Sequence, residues 1–425
     1  MDLTVYLVLI LVLLLSRVPV VYALLLPSVI YFITHGHSEG LAVRIVFQGI
    51  LSYPLLAVPL FILLGVLANR SGITERLYDA AQAAIGSLRG GLAYVSVASS
   101  FMFAWMSGSA LADAAALSKI QVSSMVERGY PKRFSLGLST TSSLISPIMP
   151  PSIPAIIYAS IASLSASALF AASVIPAILL TLSLFVTIYF WARKKNNLRG
   201  EPFSFAAWLR ATKRVAFSLG VPIVILGGIL FGFFTPTEAG AIGIIYILIL
   251  GFSYGKLKLR DLPGIIAEAT ITTASVALII GATNLLGWIL AREKVTQAVS
   301  EFFVSMTDNP YVFLIMVNIL LIILGTIMEV TPALLIVVPI LMPIAAEYGV
   351  HPLQLGVLVM VNLLFGLLSP PLGSVMFVVA KATGYKVEDV MMGILPFVPS
   401  LLMNLVLLTS IPGLSLWLPQ LLGLM

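Results

Sequence analysis

SPIMPPSIPAIIYA, residues 146–159, is matched by LLSPPLGSVMFVVA, residues 367–380, so that Pro150-Pro151 aligns with Pro370-Pro371. Both segments lie in apolar stretches long enough to cross a bilayer, 136–162 and 355–380. Consecutive prolines cannot continue a helix, because each removes a backbone donor and crowds the preceding turn. A helix opened at membrane depth survives only inside protein or beside a wet cavity. The two segments therefore predict two broken helices. The same offset joins Pro176 to Pro396, and upstream LLGVLA at Leu63 resembles LLGWIL at Leu285. Each half also carries an interrupted apolar stretch, 91–128 and 311–347, with Gly108-Ser109 or Gly325-Thr326 followed by an acid, Asp113 or Glu329.

The composition sets the medium. Of 425 residues, 60% are hydrophobic and 9% charged, with mean hydropathy +1.10. A soluble chain of this length needs far more charge, and a β-barrel would show short alternating strands instead. The chain reads as an all-α polytopic membrane protein in the lipid bilayer. There is no cysteine, which excludes disulfides, thiolate metal sites and cysteine nucleophiles. The net charge of +6 sits in short loops, where it sets orientation, and no nucleic-acid partner is expected. The N-terminal stretch 4–33 reads as a retained anchor broken near Pro19, since Asp2 stands where a signal peptide would be basic. Other spans are expected at 52–68, 168–191, 215–232, 238–254, 266–289 and 390–411; the last dozen residues find no place.

With the interrupted stretches taken as re-entrant hairpins, the loops 69–90, 127–133, 193–214, 255–262 and 381–389 share a side and hold 18 of the 23 Lys and Arg residues. That side is expected to be cytoplasmic, together with the N-terminus. Two full spans per stretch would give the same sides. Five crossings separate the equivalent helices at 52 and 266, so the second copy is inverted, as in secondary transporters with midplane sites. The expected organisation is N-terminal scaffold helices over 1–51, repeat 1 over 52–192, a basic loop over 193–214, connecting scaffold helices over 215–265, and repeat 2 over 266–425. Repeat 1 holds hairpin 91–128, broken helix 136–162 and helix 168–191. Repeat 2 holds hairpin 311–347, broken helix 355–380 and helix 390–411.

Carbonyls freed by the breaks are hard oxygen ligands suited to Na⁺. Residues 146–151 and 366–371 are therefore the candidate cation segments. Each break should face a hairpin tip. Ser107, Gly108 and Ser109 form the first tip, with Asp113 one turn on; Gly325, Thr326, Glu329 and Thr331 form the second. Their hydroxyls either bind a cation or substrate oxygen or bond the preceding turn's carbonyls. Asp113 and Glu329, acids at membrane depth, read as shaping the tips or tuning the ion sites. Glu238, in GFFTPTEAGA, reads as a helix cap. His35, His37 and His351 have no metal-ligand partners. No HExxH occurs, and no enzyme is expected.

These motifs are familiar. GSALADAAAL, SPIMPPSIPAIIY, GFFTPTEAGA and the block from GTIMEVTPALLIVVPILMP through SPPLG resemble the large membrane subunit of tripartite ATP-independent periplasmic (TRAP) transporters, in order over nearly the whole chain. The resemblance implies Na⁺-driven uptake of an organic acid, of sialic acid or C4-dicarboxylate type, across the bacterial inner membrane by an elevator mechanism. It implies two partners: a periplasmic substrate-binding protein and a small four-helix membrane subunit, expected as a separate chain because no four-helix extension precedes Met1. Carried over by motif, at least two Na⁺ ions would lie between tips and breaks. The first would involve Ser107, Ser146, Met149 and Pro151. By the repeat, the second would involve Gly325, Gly366, Ser369 and Pro371. Where the family often has Gly, Ser146 stands, which is harmless to a carbonyl ligand. A stand-alone Na⁺/dicarboxylate symporter of a related hairpin fold, or a passive channel, are the alternatives.

Overall fold

The computed structural model describes residues 3–16, 18–195, 198, 200, 202–369 and 373–425. Among them all regular structure is helical, and eight segments are long and apolar enough to cross a membrane. Pro370 and Pro371 lie outside the described residues, so the second proline pair is seen only through its flanks.

The first hairpin pairs Gly91–Ser107 with Ala110–Glu127. Its first arm ends at Gly108, whose φ of 60° is left-handed and suits glycine. Ser109 then caps the second arm by accepting from the Ala112 amide at 3.4 Å. The second hairpin pairs Pro310–Ile327 with Val330–Glu347. The first broken helix runs as Lys132–Ser142, a 3₁₀ turn Ser143–Ile145, the break, and Ile153–Ile161. Ser152 restarts it, accepting from the Ala155 amide at 3.2 Å and donating to the Pro147 carbonyl at 2.5 Å. The second runs as Pro352–Gly366 and resumes as Ser374–Thr383.

Lipid offers no hydrophobic reason for helices to associate, so close packing and buried polar groups must hold them. In the first half, Gln121 of the hairpin donates to the Ser99 and Ser100 hydroxyls and accepts from Ser139 of the broken helix at 2.6 Å. In the second, Asn362 of the broken helix donates to Asn318 of the hairpin at 2.8 Å, and Asn318 donates to Thr409 at 2.9 Å. The halves also exchange partners. Ala110–Glu127 packs on Ser374–Thr383, and Val330–Glu347 packs on Ile153–Ile161. This reciprocal arrangement is what an inverted repeat produces. Backbones meet where Lys132–Ser142 crosses Val387–Ile394: a Cβ on Gly137 would stand 1.8 Å from the Gly393 carbonyl oxygen.

Beside this assembly, Ala57–Arg70 packs against Leu262–Arg292 and against Pro236–Ser253, which is paired with Phe205–Leu230. Thr235 and Glu238 form the expected cap: the Thr235 amide donates to the Glu238 carboxylate at 2.8 Å and the Glu238 amide to the Thr235 hydroxyl at 3.3 Å.

Three expectations change. The stretch 4–33 is not one broken crossing. It is two short helices, Leu3–Leu15 and Val20–Thr34, folded back so that the Tyr6 hydroxyl lies 2.6 Å from that of Thr34. Residues read as loops form amphipathic helices, Ile73–Ile85 and Val295–Met306, each following one of the two equivalent crossings. Gly108-Ser109 and Gly325-Thr326 are not equivalent: Gly108 is at a tip, whereas Gly325 is inside the last turn of a helix and the second tip is Met328-Glu329. The unplaced C-terminus forms Gly413–Leu421, packed on Ala166–Arg193.

Because the Gly137 contact is backbone on backbone, Gly137→Ala should lower thermal stability in detergent by about 1–3 kcal/mol, the usual cost of overpacking. Gly413→Ala, which meets nothing within 4 Å, should leave the unfolding curve in place.

Candidate functional site

A cavity of about 420 Å³ lies between the two tips and the paired crossings. Ser107, Ser109, Glu329 and Thr331 from the tips, Asn69 from Ala57–Arg70, and Glu268 and Thr272 from Leu262–Arg292 supply its polar lining, with Ser374 behind. No Lys, Arg or His lines it among the described residues. Four helix N-termini border it instead: Ala110 and Val330 begin the second arms of the hairpins, Ser374 begins the resumed second helix, and Ile153 the resumed first. Each presents the positive end of a helix dipole, a usual protein surface for an anion. At the cavity's edge Arg70 and Glu268 join the two equivalent crossings by an ion pair of 2.5 Å, both side chains half-exposed. Such a pair contributes little stability, but it marks the end of the cavity nearest the basic loops.

Behind the first tip lies the first break. A Cβ on Gly108 would stand 2.6 Å from the Pro151 carbonyl oxygen, so tip and break touch there through backbone alone. The carbonyls of Ser146, Met149 and Pro151 accept no hydrogen bond among the described residues. In a buried segment, that leaves oxygens calling for a partner. Ser107 is buried, and its hydroxyl donates to the Ser109 carbonyl at 3.2 Å. Asp113 does not line the cavity. It is wholly buried beside the hydroxyls of Ser100 and Ser146, close enough to interact but, among the described residues, without a well-formed hydrogen bond to either carboxylate oxygen. Ser107, Ser146, Met149 and Pro151 thus come together around one tip and one break.

The second candidate set is brought together only in part. Gly325 and Gly366 face each other so closely that a Cβ on Gly366 would stand 2.5 Å from the Gly325 backbone. The Gly366 carbonyl accepts from the Ser369 amide at 2.9 Å, and Ser369 accepts from the Gly373 amide at 3.1 Å. Pro371 lies outside the described residues. Thr326 turns away and donates to the Ile323 carbonyl at 2.7 Å, so the bond to the preceding turn is the reading realised. Sequence reasoning missed Asn69, Thr272 and Ser374. Ser374 lies within the second proline motif, but no role was read for it; Asn69 falls just past the expected span 52–68, and Thr272 is a polar residue inside the span 266–289.

Two inverted helical halves whose broken helices and hairpin tips border one cavity between them have the architecture of a membrane transporter. The chain belongs to the tripartite ATP-independent periplasmic transporter family as its DctM component, whose family model matches residues 7–414. It is 37% identical over 411 residues to the sialic acid TRAP transporter large permease protein SiaM of Vibrio cholerae, covering 96% of each chain. It is 36% identical over 387 residues to the C4-dicarboxylate TRAP transporter large permease protein DctM of Pseudomonas aeruginosa, covering 91% and 90%. With the sialic acid TRAP transporter permease protein SiaT of Haemophilus influenzae it shares 36% identity over 95% of this chain and 66% of that one. The crystal structure of the Alcanivorax borkumensis YdaH transporter, at 14% identity, covers 84% of this chain and 85% of its own with a TM-score of 0.56, so the two share a fold.

Gly108→Ala would both strain a left-handed position, by roughly 1–2 kcal/mol, and push against the Pro151 carbonyl. Hydrogen exchange of the amides at 109–113 should quicken relative to wild type, while Gly227→Ala, which meets nothing within 4 Å, should leave it unchanged.

Proposed function

We propose that this chain is the large permease of a Na⁺-driven tripartite uptake system for a small organic anion in a bacterial inner membrane. The observation that carries the proposal is the charge of the cavity: two acids, no basic side chain, and a ring of helix N-termini. A carboxylate entering there finds amides and hydroxyls but no side-chain countercharge. Na⁺ held at the uncommitted carbonyls of Ser146, Met149 and Pro151 would supply positive charge behind the first tip, and the Gly325–Gly366 junction is the corresponding place in the second half. Substrate and ions then stabilise each other's binding, which is the energetic content of symport. The named relatives handle sialic acid, C4-dicarboxylates and, at 33% identity, isethionate. A hydroxyl-rich cavity suits that class.

Movement follows from what is joined to what. The hairpins and broken helices are tied by buried amide and hydroxyl bonds, and helix Val398–Ser410 links them to Ala166–Arg193 through Thr409 and Asn404; together they act as a transport domain. The crossings at Ala57–Arg70 and Leu262–Arg292 form the scaffold it slides against. The cavity reaches Asn69 and Glu268, beside Arg70, on the side of the basic loops, which corresponds to a cytoplasm-facing position of the elevator. A periplasmic binding protein delivers substrate and a small membrane subunit braces the scaffold.

Uptake of radiolabelled sialic acid and succinate into proteoliposomes, with the small subunit, tests this reading. Transport of either compound should require both the binding protein and an inward Na⁺ gradient. Uptake without binding protein would favour a stand-alone symporter, and Na⁺-independent flux a channel. Ser107→Ala should raise the Na⁺ concentration for half-maximal uptake by roughly tenfold, the worth of one bond to a charged group. An unchanged Na⁺ response would overturn the assignment of that residue.

A further inference from the structure

The transport reading leaves unused the most basic segment of the chain, residues 193–214. The structure gives part of it a shape. Arg210 and Arg214 stand one turn apart on Phe205–Leu230 and, with Ala207 and Ala211, line a recess of about 250 Å³ opposite Arg76 and Asp79 of the amphipathic helix Ile73–Ile85. Arg76 is held in place: its guanidinium lies 3.5 Å from the centroid of the Tyr254 ring and donates to the Arg214 carbonyl at 3.1 Å. Arg210 donates from Nε to the Ala206 carbonyl at 3.2 Å. These bonds leave terminal guanidinium N–H groups directed by a fixed frame, which is the geometry suited to phosphate. A second recess of about 370 Å³, lined in part by Leu92, Leu198 and Phe203, shares Asp79 and Ala207 with the first.

Depth in the membrane says where the ligand comes from. The apolar part of Phe205–Leu230 begins at Val215, and Phe217 and Ile223 are exposed, at 68% and 66%, to what surrounds the protein. At 1.5 Å per residue, Arg214 and Arg210 stand about 1.5 and 7.5 Å outward from Val215. That distance covers a headgroup layer roughly 5–7 Å thick. Phe203, which lines the adjoining recess, and Phe205 and Leu209, on the same helical stretch as Ala207 and Arg210, are exposed, as interfacial anchors are. Among the described residues, Asp79 is the one carboxylate lining the recess. Burial, with the neighbouring Glu75, pushes its carboxyl above the usual carboxylate range, while Arg214 opposes. It offers an acceptor for a headgroup hydroxyl.

We propose that Arg76, Arg210 and Arg214 form a binding site for the headgroup of an anionic phospholipid, of the phosphatidylglycerol kind, at the membrane surface where the basic loops lie. The phosphate sits among the guanidinium groups, a glycerol hydroxyl donates to Asp79, and the acyl chains run down beside Phe217. The lipid thereby joins the helix Ile73–Ile85 to Phe205–Leu230.

Native mass spectrometry of the full chain, exchanged into mixed micelles containing phosphatidylglycerol or phosphatidylcholine, tests the site. Wild type should retain one phosphatidylglycerol through delipidation and release phosphatidylcholine. Arg210→Gln/Arg214→Gln should weaken retention about thirtyfold, at roughly fivefold per basic residue. Arg76→Gln, on the other wall, should weaken it about fivefold. Lys258→Gln/Arg260→Gln, exposed basic residues on the same side of the membrane, should retain the lipid as wild type does. Gel filtration confirms that each variant is folded, and Arg210→Lys, which keeps the charge but not the fork, should fall between wild type and the double variant. Equal retention by wild type and the double variant, retention of phosphatidylcholine as strong as that of phosphatidylglycerol, or displacement of the lipid by excess inorganic phosphate would each overturn the proposal.

Discussion

A peptide carbonyl inside a bilayer has no water to turn to, and the architecture follows from that constraint. Opening a helix at Pro150-Pro151 exposes carbonyls that lipid cannot satisfy. The first hairpin covers this break, with Gly108 against Pro151. In the second half the last turn of a hairpin arm is laid against Gly366. Covering a break requires backbone to meet backbone, and only glycine allows it at these points. The hairpins are thus the condition under which the broken helices persist. The cavity is what is left between the two coverings.

The polar side chains divide along the same line. Gln121, Asn318 and Asn362 are buried and spent on one another and on nearby hydroxyls. They fix hairpin to broken helix without facing the cavity. Asn69, Thr272, Ser109 and Thr331 do face it. In an apolar sequence both groups look alike, as single polar residues in long hydrophobic stretches, yet one joins hairpin to broken helix and the other lines the cavity.

How much was legible depended on whether a residue has one backbone consequence or several. A proline pair in a span has one, so the first break was readable from residues 146–159, and the repeat from their match to 367–380. Glu238 was readable as a cap because Thr-Pro-Thr-Glu opens few other possibilities. A lone glycine has many uses. Matching Gly325 to Gly108 by sequence put a tip where there is a helix, because nothing local distinguishes a turn glycine from a packing glycine. Pro19 showed that the chain bends but not that it reverses, since the angle is set by Tyr6 and Thr34 meeting. Ile73–Ile85 and Val295–Met306 were taken as loops because a helix lying at the interface mixes charge with apolar residues, and the average hides the stripe.

The exchange of partners between the halves has a consequence for biogenesis. The second arm of the first hairpin rests on Ser374–Thr383, a helix near the end of the chain. A ribosome supplies about 5–20 residues per second, N-terminus first. The first hairpin therefore enters the membrane many seconds before its resting surface has been translated. During that interval its buried face, with Asp113 and Gln121, must be sheltered by something other than the finished fold. Neither half is a unit that can be inherited or synthesised as a working piece, although each carries the complete pattern of a hairpin and a broken helix.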